Sequence, residues 1–185
     1  AKGRPADHPV IVHLADTTQL AQWAREVTPV AHKLARRFWP GPLTLLFRRA
    51  PGVADAVTGG QDTVGIRIPS HPIAQALLKK FGGGVAAPSA NRFGRVSATT
   101  AEHVRREFGD AVDLVIDGGP SDVGIESTIV DATGTAPVLL RPGHITAREI
   151  EEAAGVALAP PTAQSPRAPG TLAAHYAPST PLMVM

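Results

Sequence analysis

Short β-rich runs punctuate this chain at uneven intervals, some separated by a helix-length segment and others by a turn alone. That spacing narrows the fold more than any other feature. A crossover helix between two strands implies parallel neighbours, whereas a short turn implies antiparallel ones. Both occur, so the expected fold class is α/β, with a twisted mixed parallel/antiparallel sheet and flanking helices. Residues 10–14, 43–47, 63–68, 85–88, 114–116, 126–131 and 138–141 read as its strands.

Helix signals fall between them. Asp16, with Gln19 three residues on, reads as an N-cap before Leu20, Trp23, Ala24 and Val27 at helical spacing. Thr28-Pro29 opens a second helix through Val30, Leu34 and Phe38, which Trp39-Pro40-Gly41-Pro42 must end. Residues 72–81 and 99–108 are two further helices, and Thr146 with Glu149 forms a capping box for a last one. With Gly 18, Pro 18 and only 4% aromatic residues, the composition argues against a helix bundle. A length of 185 residues suits one ordinary core.

Composition also removes whole classes of function. The cysteine count is 0, which excludes disulfide frameworks, thiolate zinc sites and cysteine nucleophiles. No apolar run approaches the roughly 20 residues of a membrane span, and no charged-then-apolar leader opens the chain, so a soluble, cytoplasmic protein with no membrane partner is expected. The formal charge of +2 says little about partners. Arg48-Arg49, Lys79-Lys80 and Arg105-Arg106 read as solvated ends of elements rather than a nucleic-acid stripe. Residues 1–158 are the expected folded domain. Residues 159–181, with prolines at 160, 161, 166, 169, 178 and 181, read as an extended linker, and residues 182–185 as the first strand of a further domain.

Four segments carry groups suited to chemistry. Lys2 and Arg4 point the same way in an extended segment and suit an anion, unless this is only a frayed, charged terminus. Ala87-Pro88-Ser89-Ala90-Asn91 ends an apolar strand in small polar residues, as a ligand crevice or an Asx-type turn would require. Arg67 interrupts an apolar strand, so it faces either solvent or a polar pocket. Ser127 and Arg141 place a hydroxyl and a cation at the ends of two more strands. The seven histidines make no helical zinc pair, and a Gly-x-Ser-x-Gly nucleophile turn is absent. Basic and small polar side chains without a built-in nucleophile or metal suit the positioning of a polyphosphate for attack by a substrate.

Taken in order, Lys2-Gly3-Arg4-Pro5, Pro9 to His13, Trp39 to Thr44, Gly65 to Pro69, Ala87 to Asn91, Glu126 to Asp131 and Leu140 to Gly143 resemble the YrdC-like domain of threonylcarbamoyl-AMP synthases. Ala168-Pro169-Gly170 and His175-Tyr176-Ala177-Pro178 resemble the linker of their longer, two-domain type. By that resemblance the family's N-terminal Thr-Val-Tyr-Gly segment and most of a C-terminal Rossmann-like domain are expected outside these residues.

The resemblance implies a nucleotidyltransferase joining L-threonine, bicarbonate and ATP into threonylcarbamoyl-AMP and pyrophosphate, with Mg2+ on the nucleotide. The product would pass to the tRNA threonylcarbamoyl-transferase machinery for modification of adenosine 37. Lys2, Arg4, Ser89 and Asn91 would form the catalytic set around the phosphates. Arg4, His8, Thr63, Ser89, Ser97 and Arg141 would bind ATP, with His175 or Tyr176 of the linker folded over it. His13, Arg67, the Ala87 backbone and Ser127 would hold threonine, and no metal ligand is expected among the residues. Two other readings remain: a YrdC-like module that binds double-stranded RNA, which needs cations converging on one face, and a carbamoyl-transfer domain of the hydrogenase-maturation type, whose zinc-finger cysteines would lie elsewhere.

Overall fold

The computed structural model describes residues 1–170. Among them are strands β1 (Ile11–His13), β2 (Leu43–Arg48), β3 (Thr63–Arg67), β4 (Val85–Ala86), β5 (Thr128–Asp131) and β6 (Val138–Arg141). The helices are α1 (Pro29–Phe38), α2 (Asp55–Thr58), α3 (Pro72–Phe81), α4 (Ala101–Phe108) and α5 (Ala147–Ala154). The six strands form one sheet in the order β4-β1-β3-β2-β5-β6. β1 runs parallel to β3 and β2 to β5, while β1–β4, β2–β3 and β5–β6 are antiparallel, so the sheet is mixed as the connection lengths imply.

Alternation along the strands divides the sheet into two unlike faces. Val12, Leu43, Leu45, Phe47, Val64, Ile66 and Val130 join the main core with Val30, Leu34 and Ile150 from α1 and α5. Thr28 caps α1 by accepting from Ala31 N, and the Thr146–Glu149 capping box opens α5 as its sequence demands. The intervening strand positions point the other way. A Cβ on Gly65 would meet side chains of Thr44, Leu46 and Ile11, so these four positions share the second face. Ile11 and His13, Gly65 and Arg67, and Ser127 and Ile129 are therefore on the face that α1 and α5 leave uncovered.

Part of that face is covered by residues 159–170. Ala159 N donates to Pro137 O at 2.9 Å, Arg167 N donates to Gln61 Oε1 at 2.6 Å, and the Gln61 amide returns a bond to Arg167 O at 3.1 Å. Ala168 is buried against Leu46 and Ile129. One backbone bond and the Gln61 side chain hold this stretch beside the sheet, which its composition alone does not foretell. The rest of the expected linker, and the expected strand at residues 182–185, lie outside the described residues.

Two expectations need correction. Residues 114–116 form no strand: Leu114 is 77% exposed, and the apolar run has no ladder partner. β-branched composition makes a strand only where a neighbour supplies hydrogen bonds. After Asp16 the chain makes a 3-10 helix, Thr17–Gln22, because the Asp16 carboxylate takes the nearby Thr18 N–H while Gln19 reaches back to Ala15 N. The helical apolar spacing beyond it is interrupted at Trp23 and Ala24, and Ala24 bridges to Arg49. The four-residue α2 was too short to show in the periodicity.

Candidate active site

Two adjoining cavities open on the uncovered side of the sheet, at the ends of β1, β4, β5 and β6. The smaller, about 60 Å3, is lined by Lys2, Arg4, His8, Ala87, Ser89, Asn91 and Arg141 among others. It accepts a group of a few atoms. The larger, about 900 Å3, is lined by Arg67, Ser97, Ser89 and Arg141 along with apolar Val96, Val123 and Ile125, and it matches the size of a small-molecule site. Ser89, Glu126, Arg141 and Gly170 line both, which makes them the junction.

The cations of the smaller cavity are fixed by neutral partners. The Lys2 ammonium donates to the carbonyls of Ser89 and Asn91, tying the N-terminal segment to the loop after β4. Arg4 donates to His8 O at 2.6 Å and to Pro9 O. Carbonyls orient these groups without cancelling their charge, so a net positive field remains in the slot. Burial, and then the Arg4 charge, push the Lys2 ammonium below its ordinary range. An arriving anion would relieve that penalty. His8 packs edge-on against Phe93, with ring centroids 5.2 Å apart.

Arg141 is 6% exposed and donates to Ser127 O from Nε at 3.1 Å, to Ser127 Oγ at 3.1 Å and to Pro169 O at 2.7 Å. Ser127 Oγ in turn shares a 2.8 Å bond with Thr44. Ser127 is thus a buried support for Arg141, lining neither cavity. Arg67 donates from Nε to Gly41 O at 3.0 Å, and its terminal nitrogens have no hydrogen-bond acceptor among the described residues. Asn91 is buried, and its Nδ2 staples the following turn by donating to the carbonyls of Arg92 and Arg95 at 2.8 and 2.9 Å. Ala87 N is committed to Ile11 O at 3.0 Å.

His13 pairs in register with Arg67 across the β1–β3 ladder and lines neither cavity. Burial, followed by the Arg67 charge, pushes its pKa down from 6.5 to about 4, so it is neutral at pH 7. The unfolded chain takes up this proton as the pH falls below 6.5, whereas the folded chain resists until about 4. Stability is therefore expected to fall across that window, by about 3 kcal/mol for this group alone. The carboxyls of Asp16 and Glu149, held low by their capping hydrogen bonds, lose their contribution only as the pH falls through their ordinary values of 3.8 and 4.5. Denaturant midpoints from pH 7 to 4.5 check the assignment: His13→Gln should flatten the slope, and an unchanged slope refutes it.

The fold thus brings Lys2, Arg4, His8, Ala87, Ser89, Asn91 and Arg141 to one cavity, and Arg67 and Ser97 to its neighbour. Thr63 is buried on the same sheet face, lines neither cavity, and its Oγ1 has no hydrogen-bond partner among the described residues. His175 and Tyr176 lie outside the described residues. Two site features escaped sequence reasoning. Glu126 accepts from Ser97 Oγ and stands 3.8 Å from Arg141; its place just before Ser127, at the mouth of β5, was the available signal. Gly143 passes so close to β5 that a Cβ there would meet Thr128 N at 2.5 Å and Glu126 O at 2.6 Å, which only glycine permits.

The family described as Telomere recombination, which groups Sua5, YciO and YrdC sequences, matches residues 1–143, and the threonylcarbamoyl-AMP synthase C-terminal domain family matches residues 145–185. The threonylcarbamoyl-AMP synthase of Pyrococcus abyssi is 44% identical over 190 residues, covering 100% of this chain and 56% of its own length. The synthase of Bacillus subtilis is 43% identical, with 100% of this chain and 55% of the relative covered. The chain therefore spans little more than half the length of these relatives. The crystal structure of P. abyssi Sua5 complexed with L-threonine superposes with a TM-score of 0.89 at 44% identity, over 96% of this chain and 54% of that one. Among the described residues no helix is long and apolar enough to cross a membrane.

Proposed function

Since this chain belongs to the threonylcarbamoyl-AMP synthase family, we propose that its two cavities bring ATP and L-threonine together to form threonylcarbamoyl-AMP and pyrophosphate, with bicarbonate as the carbon source. The supporting observation is the convergence of Lys2, Arg4 and Arg141, held by neutral carbonyls in a slot of phosphate size, on a wider cavity containing Arg67. A crystal structure of the P. abyssi relative holds L-threonine.

In this reading the threonine carboxylate pairs with the free end of Arg67, the strongest geometry available for a planar anion. Its amino nitrogen, having given up a proton, bonds to the carbon of bicarbonate with loss of water, and the resulting carbamate oxygen attacks the α-phosphorus as pyrophosphate leaves. Lys2, Arg4 and Arg141, with Ser89 beside them, offset the charge that builds on the departing phosphates. Asn91 contributes by holding the loop that carries Ser89 and the carbonyl acceptors of Lys2. Ser97 faces the wider cavity, and His8 with Phe93 offers an aromatic wall beside the slot.

Among the described residues no group of three or more His, Asp or Glu side chains converges as a metal cage. Mg2+ would arrive with the nucleotide, held by its phosphate oxygens and water, and would neutralise phosphate charge. The product would serve a tRNA-modifying transferase acting on the adenosine base.

Pyrophosphate release by the intact protein is the test. Release requiring ATP, L-threonine and bicarbonate together is expected; release independent of threonine, or none, overturns the reading.

A further inference from the structure

A carboxylate at the junction of an anion-binding site calls for a reason. Glu126 is 29% exposed at its side chain and lines both cavities. As a counterion it engages only loosely, with Oε2 3.8 Å from Arg141. Lys2 and Arg4 are satisfied by carbonyls, and Arg141 directs its donors to Ser127 and Pro169, leaving Glu126 Oε2 3.8 Å away, outside hydrogen-bond range. Ser97 Oγ binds Oε1 and so fixes the carboxylate from one side. Oε2 accepts no hydrogen bond among the described residues, so its acceptor capacity is unspent.

The same large cavity holds Arg67, whose terminal nitrogens have no hydrogen-bond acceptor among the described residues and whose charge feels that of Glu126. A cation and an anion, each with an open side, facing one cavity are complementary to a zwitterion. A polyphosphate, by contrast, is repelled by Glu126 and directed to the Lys2 and Arg4 side of the junction.

The geometry points to Glu126 as the group that holds the α-amino nitrogen of the amino acid, opposite Arg67 on its carboxylate. This rests on the amino-acid reading of the larger cavity. Glu126 is then a specificity determinant: it selects an amine-bearing acid over a hydroxy acid of the same shape, and it presents the nitrogen that must be carboxylated toward the junction where the phosphates lie.

Calorimetry on the intact protein compares L-threonine with the analogue carrying a hydroxyl in place of its amine. The unmodified protein should prefer threonine by about tenfold or more, equivalent to about 1.4 kcal/mol. Glu126→Gln, which can keep the Ser97 bond, should bind both alike, with the KM for threonine raised about tenfold and ATP affinity unchanged or tighter. Glu126→Asp should recover part of the preference. Retained ATP binding shows that each variant is folded. If Glu126→Gln keeps the preference, or alters only the magnesium requirement, the assignment is wrong while the synthase reading stands. An unmodified protein that binds no threonine overturns both. One that binds threonine with the stated preference but releases no pyrophosphate overturns the synthase reading alone.

Discussion

Arg141→Ala is expected to cost about 2–5 kcal/mol of folding stability, the largest effect of any single change at the site. The guanidinium is almost wholly buried, and its removal strands the carbonyls of Ser127 and Pro169 and leaves Glu126 beside a void. Against the roughly 5–15 kcal/mol of a typical domain, that is a large share of the total. Because Pro169 O is one anchor of residues 159–170, the loss should also loosen that segment. Trypsin cleavage after Arg167 would report it, since Arg167 is held by Gly59 O at 2.9 Å and by Gln61 on both sides of its peptide unit. Arg141→Lys keeps the charge but not the fork, and should recover only part of either effect. A denaturation midpoint and cleavage rate equal to those of the unmodified protein would show that Arg141 is not the buried tie described.

Arg67→Ala should lower affinity for L-threonine by about 100-fold while changing ATP affinity no more than a few-fold. The first figure follows from losing a charge-assisted, two-pronged bond to a carboxylate in a partly desolvated cavity, worth about 2–3 kcal/mol. The second follows from position: Arg67 opens only on the larger cavity, whereas Lys2 and Arg4 face the smaller one. Folding should be little affected, because the side chain makes a single described hydrogen bond, to Gly41 O. Titrations of each ligand into the variant settle the matter. Equal losses for the two would merge the sites and end the division of labour.

Most of the architecture was legible from local rules. Thr28-Pro29 and the Thr146–Glu149 box start their helices where the residues say, because capping is decided by side chains within three residues of the bonds they satisfy. The mixed sheet followed from connection lengths, which are also local. Residues 114–116 misled because strand formation is not local: an apolar triplet needs a partner's N–H and C=O groups, and none was beside it. β2 gave no sign of its two faces, since it is central and buried on both, so period-two polarity vanished from Leu43 to Phe47.

For the site, the residue types were readable and their neighbours were not. Lys2, Ser89 and Arg141 could be named because their chemistry is written in single side chains, and their motif order is specific to the family. That Lys2 would cap the 89–91 loop, that Arg141 would lie under residue 169, and that Ser127 would be buried behind it depend on contacts spanning 87, 28 and 14 positions of sequence. Glu126 was passed over for the same reason. A glutamate before a strand is unremarkable until the fold turns Ser97, Arg67 and Arg141 toward it. Sequence by itself determined which residues alternate along each strand; the tertiary structure decided that helices α1 and α5 bury one set, because only one sheet face can be covered by a layer that is itself apolar on a single side. The polar set on the other face became a site through that choice.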